Sequence, residues 1–497
     1  MRYISTRGRS EPVTAAEAFL TGLAPDGGLY LPAEFPGAQK ISPGEQELDY
    51  RQLAAEILEL FLSDYTRAEL DDCLQRAYGN NFDSPAVTPV TMVRDNLGFL
   101  ELWHGPTCAF KDVALQLLPH LMTTAVHKVG FEQELVLLVA TSGDTGKAAL
   151  EGFKDVPGTK VIVFYPEDGV SVVQQQQMVT QEGANTFVVG VRGNFDQAQA
   201  GVKALFTAER FQGELAAAGK TFSSANSINW GRLVPQLVYY FKAWGDLLRN
   251  GQLRPGETFN VVVPTGNFGN ILAAYYGKKL GLPLHKLICA SNRNNVLTDL
   301  IRTGVYNRNR HFYQTLSPSM DILVSSNLER LLYELVDRDP KRVVAYMEAL
   351  QRVGRYELTA DEKAHLETDF WAGYADEGET TAAVQAVYNQ YHYLIDPHTA
   401  VGYKVYQDYL AATDDGRPTI IAATASPFKF NRGVAEALFG TAAAATVDEF
   451  DLMEQVSAAT GAPIPPGLFG LKEKPLRHRQ VIEPTAMEEA VRGILGL

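Results

Sequence analysis

The chain has 497 residues, of which 46% are hydrophobic and 21% charged, and its formal net charge is −14. This length permits several domains, and this composition is typical of a soluble globular protein. The negative charge disfavours non-specific binding to nucleic acid or to an anionic membrane, so we expect neither as a partner.

Cysteine and histidine usage gives two further expectations. Cys73, Cys108 and Cys289 are far apart and odd in number, which indicates a reducing compartment and no disulfide framework. The nine histidines show no zinc-type spacing, so no structural metal is expected. No apolar leader follows Met1 and no apolar run could cross a bilayer. The sequence therefore predicts a cytoplasmic protein.

The elements, taken in chain order, indicate an α/β protein. Residues 1–95 are expected to form an N-terminal domain of loops and helices, with helices at 45–65 and 67–78. Short, β-branched apolar runs then predict strands at 135–141, 160–165, 186–191, 259–264, 287–290 and 419–425. Helical patterns lie between them at 194–210, 232–248 and 269–280. Such alternation favours parallel sheets.

This rhythm suggests a division of the remaining chain. We assign residues 96–235 to a first α/β unit, and residues 236–310 and 390–470 to a second. Residues 311–389 interrupt the alternation, and their clearest patterns are helices at 327–336 and 340–353 without a strand of comparable strength. They are predicted to be a helical insertion. The proline-rich end, with residues 471–497 as a C-terminal tail, is expected to wrap the surface.

Lys111 is the most informative residue. It ends the run His-Gly-Pro-Thr-Cys-Ala-Phe-Lys, follows a Gly-Pro turn and begins an apolar stretch at 113–122. A lysine at a buried helix start is costly to desolvate, and Schiff-base chemistry is the commonest reason for such a placement. His104 and Cys108 lie nearby, but Cys108 has no evident partner and is expected to pack as a small apolar residue.

Three further segments could bind anions. The run 141–147, Thr-Ser-Gly-Asp-Thr-Gly-Lys, follows a predicted strand and opens a helix, which makes an anion site or a plain turn. It fails as a nucleotide P-loop at Thr141 and at Ala148. The run 264–270, Pro-Thr-Gly-Asn-Phe-Gly-Asn, predicts a phosphate nest or a tight turn. The run 226–232 offers two amides, a hydroxyl and Arg232, which suits a phosphate or merely a capped helix start with a solvated arginine.

These blocks together closely resemble the threonine synthase family, in order and approximate spacing. The resemblance rests on residues 20–30, 104–112, 140–146, 226–229, 266–269, 319–322 and 397–402, and is strongest to the longer fungal and enterobacterial type. It implies a fold-type-II pyridoxal-phosphate enzyme with two parallel-sheet α/β units of the tryptophan synthase β-like architecture. It also implies conversion of O-phospho-L-homoserine and water into L-threonine and phosphate, the last step of threonine biosynthesis.

The resemblance also implies a role for each matching residue. Lys111 would carry the pyridoxal phosphate covalently, and Thr424 would face its pyridine nitrogen. The cofactor phosphate would be held by Gly266, Asn267, Phe268, Gly269 and Asn270. The substrate carboxylate and the ring hydroxyl would be bordered by Ser142, Gly143, Asp144 and Thr145. The substrate phosphate would be received by Thr145, Asn226, Ser227 and Arg232.

Some positions depart from this pattern or stay without a role. Ser426 and Phe428 stand where the family usually has histidine and alanine, which puts any histidine role there in doubt. Asp321 lies in a matching block, but no chemistry can be assigned to it. The protein is expected to be a monomer or a homodimer.

Three other functions compete with the synthase reaction. A serine or threonine dehydratase of the same fold would need no second phosphate site, so the segment 226–232 argues against it. A threonine-synthase-like protein that binds the cofactor without the synthase reaction is compatible with the changes at Ser426 and Phe428. Nucleotide binding is the weakest alternative, because the P-loop pattern is incomplete.

Overall fold

The computed structural model describes residues 1–37, 41, 48–167 and 169–497. Its strands are β1 (Tyr3–Ser5), β2 (Tyr30–Pro32), β3 (Val90–Arg94), β4 (Leu97–Glu101), β5 (Glu134–Ala140), β6 (Thr159–Pro166), β7 (Thr186–Val191), β8 (Lys220–Ser223), β9 (Phe259–Pro264), β10 (Leu284–Ser291), β11 (Val305–Asn307), β12 (Arg355–Glu357), β13 (Phe370–Tyr374), β14 (Thr419–Ala423) and β15 (Gln480–Ile482).

The α-helices are α1 (Ala15–Thr21), α2 (Tyr50–Glu59), α3 (Arg67–Tyr78), α4 (Lys111–Leu115), α5 (Leu118–Val129), α6 (Asp144–Gly152), α7 (Val172–Val179), α8 (Phe195–Thr207), α9 (Glu209–Ala217), α10 (Trp230–Leu233), α11 (Gln236–Arg249), α12 (Gly269–Lys279), α13 (Val296–Thr303), α14 (Leu328–Leu335), α15 (Pro340–Val353), α16 (Ala360–Asp369), α17 (Glu377–Tyr391), α18 (Pro397–Thr413), α19 (Asn431–Phe439), α20 (Thr441–Ala444), α21 (Glu449–Thr460) and α22 (Met487–Leu495). Short 3-10 helices lie at Pro318–Met320, Pro427–Phe430, Leu471–Glu473 and Pro484–Ala486.

Two large sheets organise the described residues, which confirms the predicted α/β class with parallel sheets. One sheet has the order β15-β7-β6-β5-β8 and is parallel throughout. The other has the order β13-β10-β9-β14-β4-β3, and only β3 runs antiparallel to its neighbour. The central strands are buried along almost their whole length, as expected for parallel strands covered by helices on both faces.

Local sequence signals explain where the helices begin and end. The predicted helix at 67–78 is confirmed as α3, whose N-cap Thr66 accepts a hydrogen bond from the backbone of Glu69 in a capping box. The helix predicted at 45–65 is shorter, α2 beginning after its cap Asp49, and residues 45–47 of that prediction lie outside the described part. The helix predicted at 232–248 is divided into α10 and α11 near Pro235, because proline has no backbone N–H to continue the helical hydrogen bonds.

Several strands pair across the boundaries of the predicted units. β4 lies in the segment assigned to the first unit, but it pairs in parallel with β14 and so belongs to the second sheet. β13 lies in the segment predicted to be helical, and it forms the edge of that same sheet beside β10. β15 lies in the expected surface tail, yet it extends the first sheet beside β7. Each is a short strand whose pairing depends on neighbours distant in sequence.

The sheets bring the carboxyl ends of several strands together, where α/β proteins usually bind ligands. The segments that follow β4, β5, β9 and β14 contain Lys111, Asp144, Asn270 and Thr424. None of the helices in the described ranges is both long and apolar enough to cross a membrane.

Candidate active site

Lys111 is the first residue of α4 and is only 9% exposed. The segment before it is fixed to the segment after β14. The backbone N–H of Phe110 donates to the carbonyl oxygen of Thr424 at 2.9 Å, and Ala109 pairs with Ala425 in an antiparallel bridge. The predicted cofactor lysine and the predicted partner of the pyridine nitrogen are therefore neighbours, although 313 positions separate them in the sequence (424 − 111).

Asp144, at the start of α6, is the centre of a buried polar cluster. Its Oδ2 lies 3.1 Å from Nζ of Lys111 and accepts a hydrogen bond from the hydroxyl of Ser319 at 3.0 Å. Its Oδ1 lies 2.7 Å from Nζ of Lys429 and accepts from Nε2 of Gln174 at 2.9 Å. One carboxylate thus receives four donors, two of them cationic, as a buried charge requires.

This cluster controls the protonation of Asp144 and of Lys111. Burial acts to raise the pKa of Asp144, but Lys111 and Lys429 outweigh it and hold that pKa well below the usual range. Burial lowers the pKa of Lys111, and the cations Lys429 and Arg232 lower it further, against the opposing effect of Asp144. Asp144 is accordingly a permanent anion, whereas Lys111 loses its proton more easily than an exposed lysine does.

The loop between Asp144 and its strand is shaped by Thr141. The Thr141 hydroxyl accepts hydrogen bonds from the backbone N–H groups of Gly143 and Gly146, at 3.0 and 2.9 Å. Ser142 and Thr145 are half-buried beside this turn. Lys147 points elsewhere, since its Nζ lies 2.8 Å from Glu151, and this removes the lysine that a nucleotide-binding P-loop needs.

The predicted cofactor-phosphate loop is a tight turn between β9 and α12. Phe268 has φ +64°, and the loop is fixed from outside by Ser325, whose hydroxyl donates to the Gly266 carbonyl at 2.8 Å. The Asn267 carbonyl accepts from the backbone N–H of Asn327 at 3.0 Å. The loop is thereby fixed to the segment 325–327.

Asn270 presents an amide that the rest of the described chain leaves unused. Its Oδ1 accepts hydrogen bonds from the hydroxyls of Tyr239 and Tyr240, which fixes the orientation of the side chain. Its Nδ2 is buried and has no hydrogen-bond partner within the described residues. A buried donor without a partner is costly, so this amide is suited to an acceptor supplied by a ligand.

Arg232, in α10, is not the solvated arginine that the sequence left open. It is 3% exposed, its Nη1 donates to the carbonyl oxygen of Ala225 at 2.6 Å, and its Nε has no hydrogen-bond partner in the described part of the chain. Burial lowers its pKa to about 10, which Asp112 only partly offsets. A buried guanidinium with an unused donor is suited to an anionic ligand.

The predicted substrate-phosphate segment, which contains Asn226 and Ser227, is fixed by a second buried arginine. Arg330 donates to the carbonyl oxygens of Ile228 at 2.6 Å and of Tyr30 at 2.9 Å. The hydroxyl of Ser227 also lies 3.4 Å from that of Ser326. The N-terminal segment, the segment 226–229 and α14 are therefore tied together beside Arg232.

Several residues of this site had no role assigned from the sequence: Gln174, Ser319, His398 and Lys429. Lys429 lies three positions after Ser426 and is fully buried, and a lysine in an otherwise apolar run was the signal available. Ser319 and His398 lie within blocks that match the family. Their contacts with the site depend on the fold, because Ser319 meets Asp144 across 175 positions.

Three positions that the sequence left without a clear chemical role have structural roles: Asp321, Ser426 and Phe428. Asp321 accepts hydrogen bonds from Asn292 and from the Thr315 hydroxyl, both at 2.7 Å, and so fixes the turn that carries Ser319. Ser426 accepts from the backbone N–H of Phe428 at 3.3 Å and caps the 3-10 turn that carries Lys429. The ring of Phe428 is buried in the core.

His104 and Cys108, which lie near Lys111 in the sequence, are not free to act as nucleophiles. Cys108 is buried, and burial raises the pKa of its thiol to about 12. His104 contacts Asp83 and Glu101. Packing and ion pairing account for both residues.

The chain matches sequence models of known protein families along most of its length. The description "Threonine synthase N terminus" matches residues 2–78, "Pyridoxal-phosphate dependent enzyme" residues 94–359, and "Threonine synthase, C-terminal" residues 399–493.

Individual relatives that match most of the chain agree with these family matches. Threonine synthase-like 1 of Homo sapiens is 43% identical over 85% of this chain and 58% of its own length, so the chain spans less than two thirds of that relative. Threonine synthase of Pseudomonas aeruginosa is 36% identical over 93% of this chain and 96% of its own. The crystal structure of pyridoxal-phosphate-bound threonine synthase from Brucella melitensis is 36% identical and superposes over all of both chains with a TM-score of 0.88. This chain belongs to the threonine synthase family of pyridoxal-phosphate-dependent enzymes.

Proposed function

We propose that this protein is a threonine synthase, which converts O-phospho-L-homoserine and water into L-threonine and phosphate. The observation that carries the proposal is that two separate sets of donors lie near Lys111 and lack partners among the described residues. One is the loop 266–270 with the Asn270 amide, where Gly266 lies against Ser319 beside Lys111. The other is Arg232 with its Nε, whose charge acts on Lys111. A dehydratase would need only the first, for the cofactor, whereas a phosphorylated substrate needs both.

The residues present fit pyridoxal phosphate, the cofactor of this family. Lys111 offers a buried amine of lowered pKa, and Asn270 offers a buried amide that no described residue pairs with. We assign the covalent attachment to Lys111, the phosphate to residues 266–270 and the pyridine nitrogen to Thr424. When bound, the cofactor supplies an electron sink that stabilises a carbanion next to the substrate amino group.

Lys111 is proposed to move protons once the substrate amine has replaced it. It would remove one proton from Cα and one from Cβ of the substrate, deliver one to Cγ after the phosphate has left, and return one to Cα. Its lowered pKa leaves more of the amine unprotonated near neutral pH, which a general base requires. Asp144 and Ser319 contact this amine, and so they orient it.

The γ-phosphate of the substrate is proposed to leave beside Arg232. Charge develops on the departing oxygen, and a positioned guanidinium stabilises that charge most effectively where water is excluded. Asn226, Ser227 and Thr145 would supply the remaining donors. Water then adds at Cβ, and phosphate is released with L-threonine.

A second function is favoured by two observations. The relatives at 43% identity are named threonine synthase-like 1, and Ser426 and Phe428 depart from the family pattern. A protein that binds the cofactor without forming threonine is therefore the alternative to be tested.

The test measures phosphate and threonine formation from O-phospho-L-homoserine by the wild type, by Lys111→Ala and by Lys154→Ala. Lys154 is a partly exposed lysine paired with Glu182, and its variant controls for the loss of any lysine. We expect equal amounts of both products from the wild type and from Lys154→Ala, and none from Lys111→Ala. Phosphate with 2-oxobutanoate in place of threonine would indicate a lyase that forms the 2-oxo acid. A visible cofactor band without turnover would support the alternative.

A further inference from the structure

We propose that Lys429 is a positioning residue, a counter-cation that keeps Asp144 paired and correctly oriented whether or not Lys111 carries a charge. The proposal rests on the role of Lys111 proposed above, that of carrying the cofactor. Lys429 would therefore act on the reaction through Asp144 and Lys111.

The geometry around Lys429 is that of a fixed ion pair. The side chain is 0% exposed, and its Nζ donates to Asp144 Oδ1 at 2.7 Å and to the Thr107 carbonyl at 2.8 Å. Thr107 is itself held by Asp112, which accepts from its backbone N–H at 2.9 Å and from its hydroxyl at 2.6 Å. The ammonium therefore has little freedom to move away from Asp144.

The charge balance explains why a second lysine is needed. Asp144 is buried and contacts two ammonium groups, Lys111 and Lys429. Lys111 must be an uncharged amine before it can accept a proton as a base. Without Lys429, Asp144 would then be a buried carboxylate without a cation, which is strongly unfavourable. With Lys429, the carboxylate is paired throughout, and Lys111 is free to change its charge.

The same arrangement determines how Lys111 titrates. The charged groups that face it are Asp144 from α6, Lys429 from the 3-10 turn at Pro427–Phe430 and Arg232 from α10. Its Nζ also lies 5.1 Å from the ring centroid of Phe110. Lys429 lowers the pKa of Lys111, so the loss of this cation must raise it.

The experiment uses the full chain freed of cofactor, so that it does not depend on threonine formation. The reactivity of Lys111 toward an acylating reagent is measured by mass spectrometry as a function of pH, in the wild type, Lys429→Met and Lys429→Arg. We expect the midpoint of Lys111 labelling to move to higher pH in Lys429→Met and to stay near the wild-type value in Lys429→Arg. Pyridoxal phosphate binding, followed by its absorption band, should weaken near neutral pH in Lys429→Met only.

A merely structural role would lower stability without moving the labelling midpoint. An unchanged midpoint in folded Lys429→Met, judged by circular dichroism, would overturn the proposal. If Lys429→Met does not fold, Lys429→Gln replaces it, because its amide keeps a donor toward Asp144 or Thr107 without the charge, and the same upward shift is required. Failure of the synthase assay with an intact midpoint shift would count against the proposed reaction alone.

Discussion

The backbone N–H of Ser319 donates a hydrogen bond to Nε2 of His398 at 3.2 Å. Nε2 is thus the unprotonated nitrogen, and Nδ1 carries the hydrogen toward Asp396, whose Oδ2 lies 2.6 Å away. Ser319 in turn donates to Asp144, the partner of Lys111. A buried aspartate and histidine at the start of α18 therefore determine the position of a hydroxyl next to Lys111.

This relationship predicts a defined loss in His398→Ala. Without the imidazole, the Ser319 backbone loses its acceptor and the hydroxyl moves relative to Lys111, so we expect kcat to fall about tenfold to a hundredfold. The measurement is the initial rate of phosphate release, with His365→Ala at an exposed position of α16 as control. A wild-type rate in His398→Ala would show that Ser319 needs no such support.

Gly143 predicts a second effect, on the shape of the loop beside Asp144. It has φ +129°, and a Cβ at this position would lie 2.4 Å from Cδ of Gln174, the residue that donates to Asp144. Gly143→Ala should therefore displace Gln174 and weaken pyridoxal phosphate binding, in addition to a backbone cost of about 1–3 kcal/mol.

Gly130→Ala is the matched control for this variant. Gly130 also has a positive φ, +66°, but a Cβ there would meet no atom within 4 Å. It should lower the midpoint of thermal unfolding without changing cofactor affinity, measured by absorbance titration. Equal affinities in the two variants would contradict the assigned role of Gln174.

His104 predicts a pH dependence of stability. Its imidazole contacts the carboxylates of Glu101 and Asp83. Burial acts to lower the pKa of His104, but these carboxylates outweigh burial and raise it. The stabilisation is therefore complete below the unfolded-state pKa of about 6.5, and it is lost as the pH rises through the higher pKa of the folded state.

The corresponding variant is His104→Gln. We expect it to lose about 1 kcal/mol of stability near pH 6 and much less near pH 9, measured as the midpoint of thermal unfolding. His365→Gln, at the exposed position, should show a small change that is equal at both pH values. The interpretation fails if the loss in His104→Gln is equal at the two pH values.

The sequence predicts best what depends on local pattern. The strands at 186–191 and 259–264 are confirmed at both ends, because apolar β-branched runs bounded by turn residues specify a buried strand. Lys111 stands out for a similar reason, since its motif is contiguous. β13 and β15 are short edge strands that form by pairing with a neighbouring strand, so no local pattern predicts them.

The same distinction between local and long-range features applies to the site. The glycine loops are local and are visible in the sequence, whereas the contacts that tune Lys111 are not. Lys429 reaches the Thr107 carbonyl across 322 positions, and Ser319 reaches His398 across 79. Such pairs are decided by how the two sheets and their connections pack, which a single sequence does not reveal.

Arg232 predicts opposite effects on activity and on stability. The guanidinium is buried, burial lowers its pKa to about 10, and no carboxylate among the described residues forms an ion pair with it. Its desolvation is thus poorly compensated without a ligand, and Arg232→Gln should leave the unfolding midpoint unchanged or raise it. The same change removes the charge proposed to face the leaving phosphate, so kcat/KM for O-phospho-L-homoserine should fall about a hundredfold to a thousandfold.

The control for Arg232 is Arg302→Gln, which also removes an arginine that donates to a backbone carbonyl, that of Ala372 at 2.9 Å. It should keep full activity. Both variants should keep the visible cofactor band, because neither residue is assigned to cofactor binding. Addition of inorganic phosphate should stabilise the wild type and Arg302→Gln but not Arg232→Gln, because only a protein with an intact anion site gains stability from its ligand. If phosphate stabilises Arg232→Gln equally, the substrate phosphate must bind elsewhere, and the argument against a dehydratase falls with it.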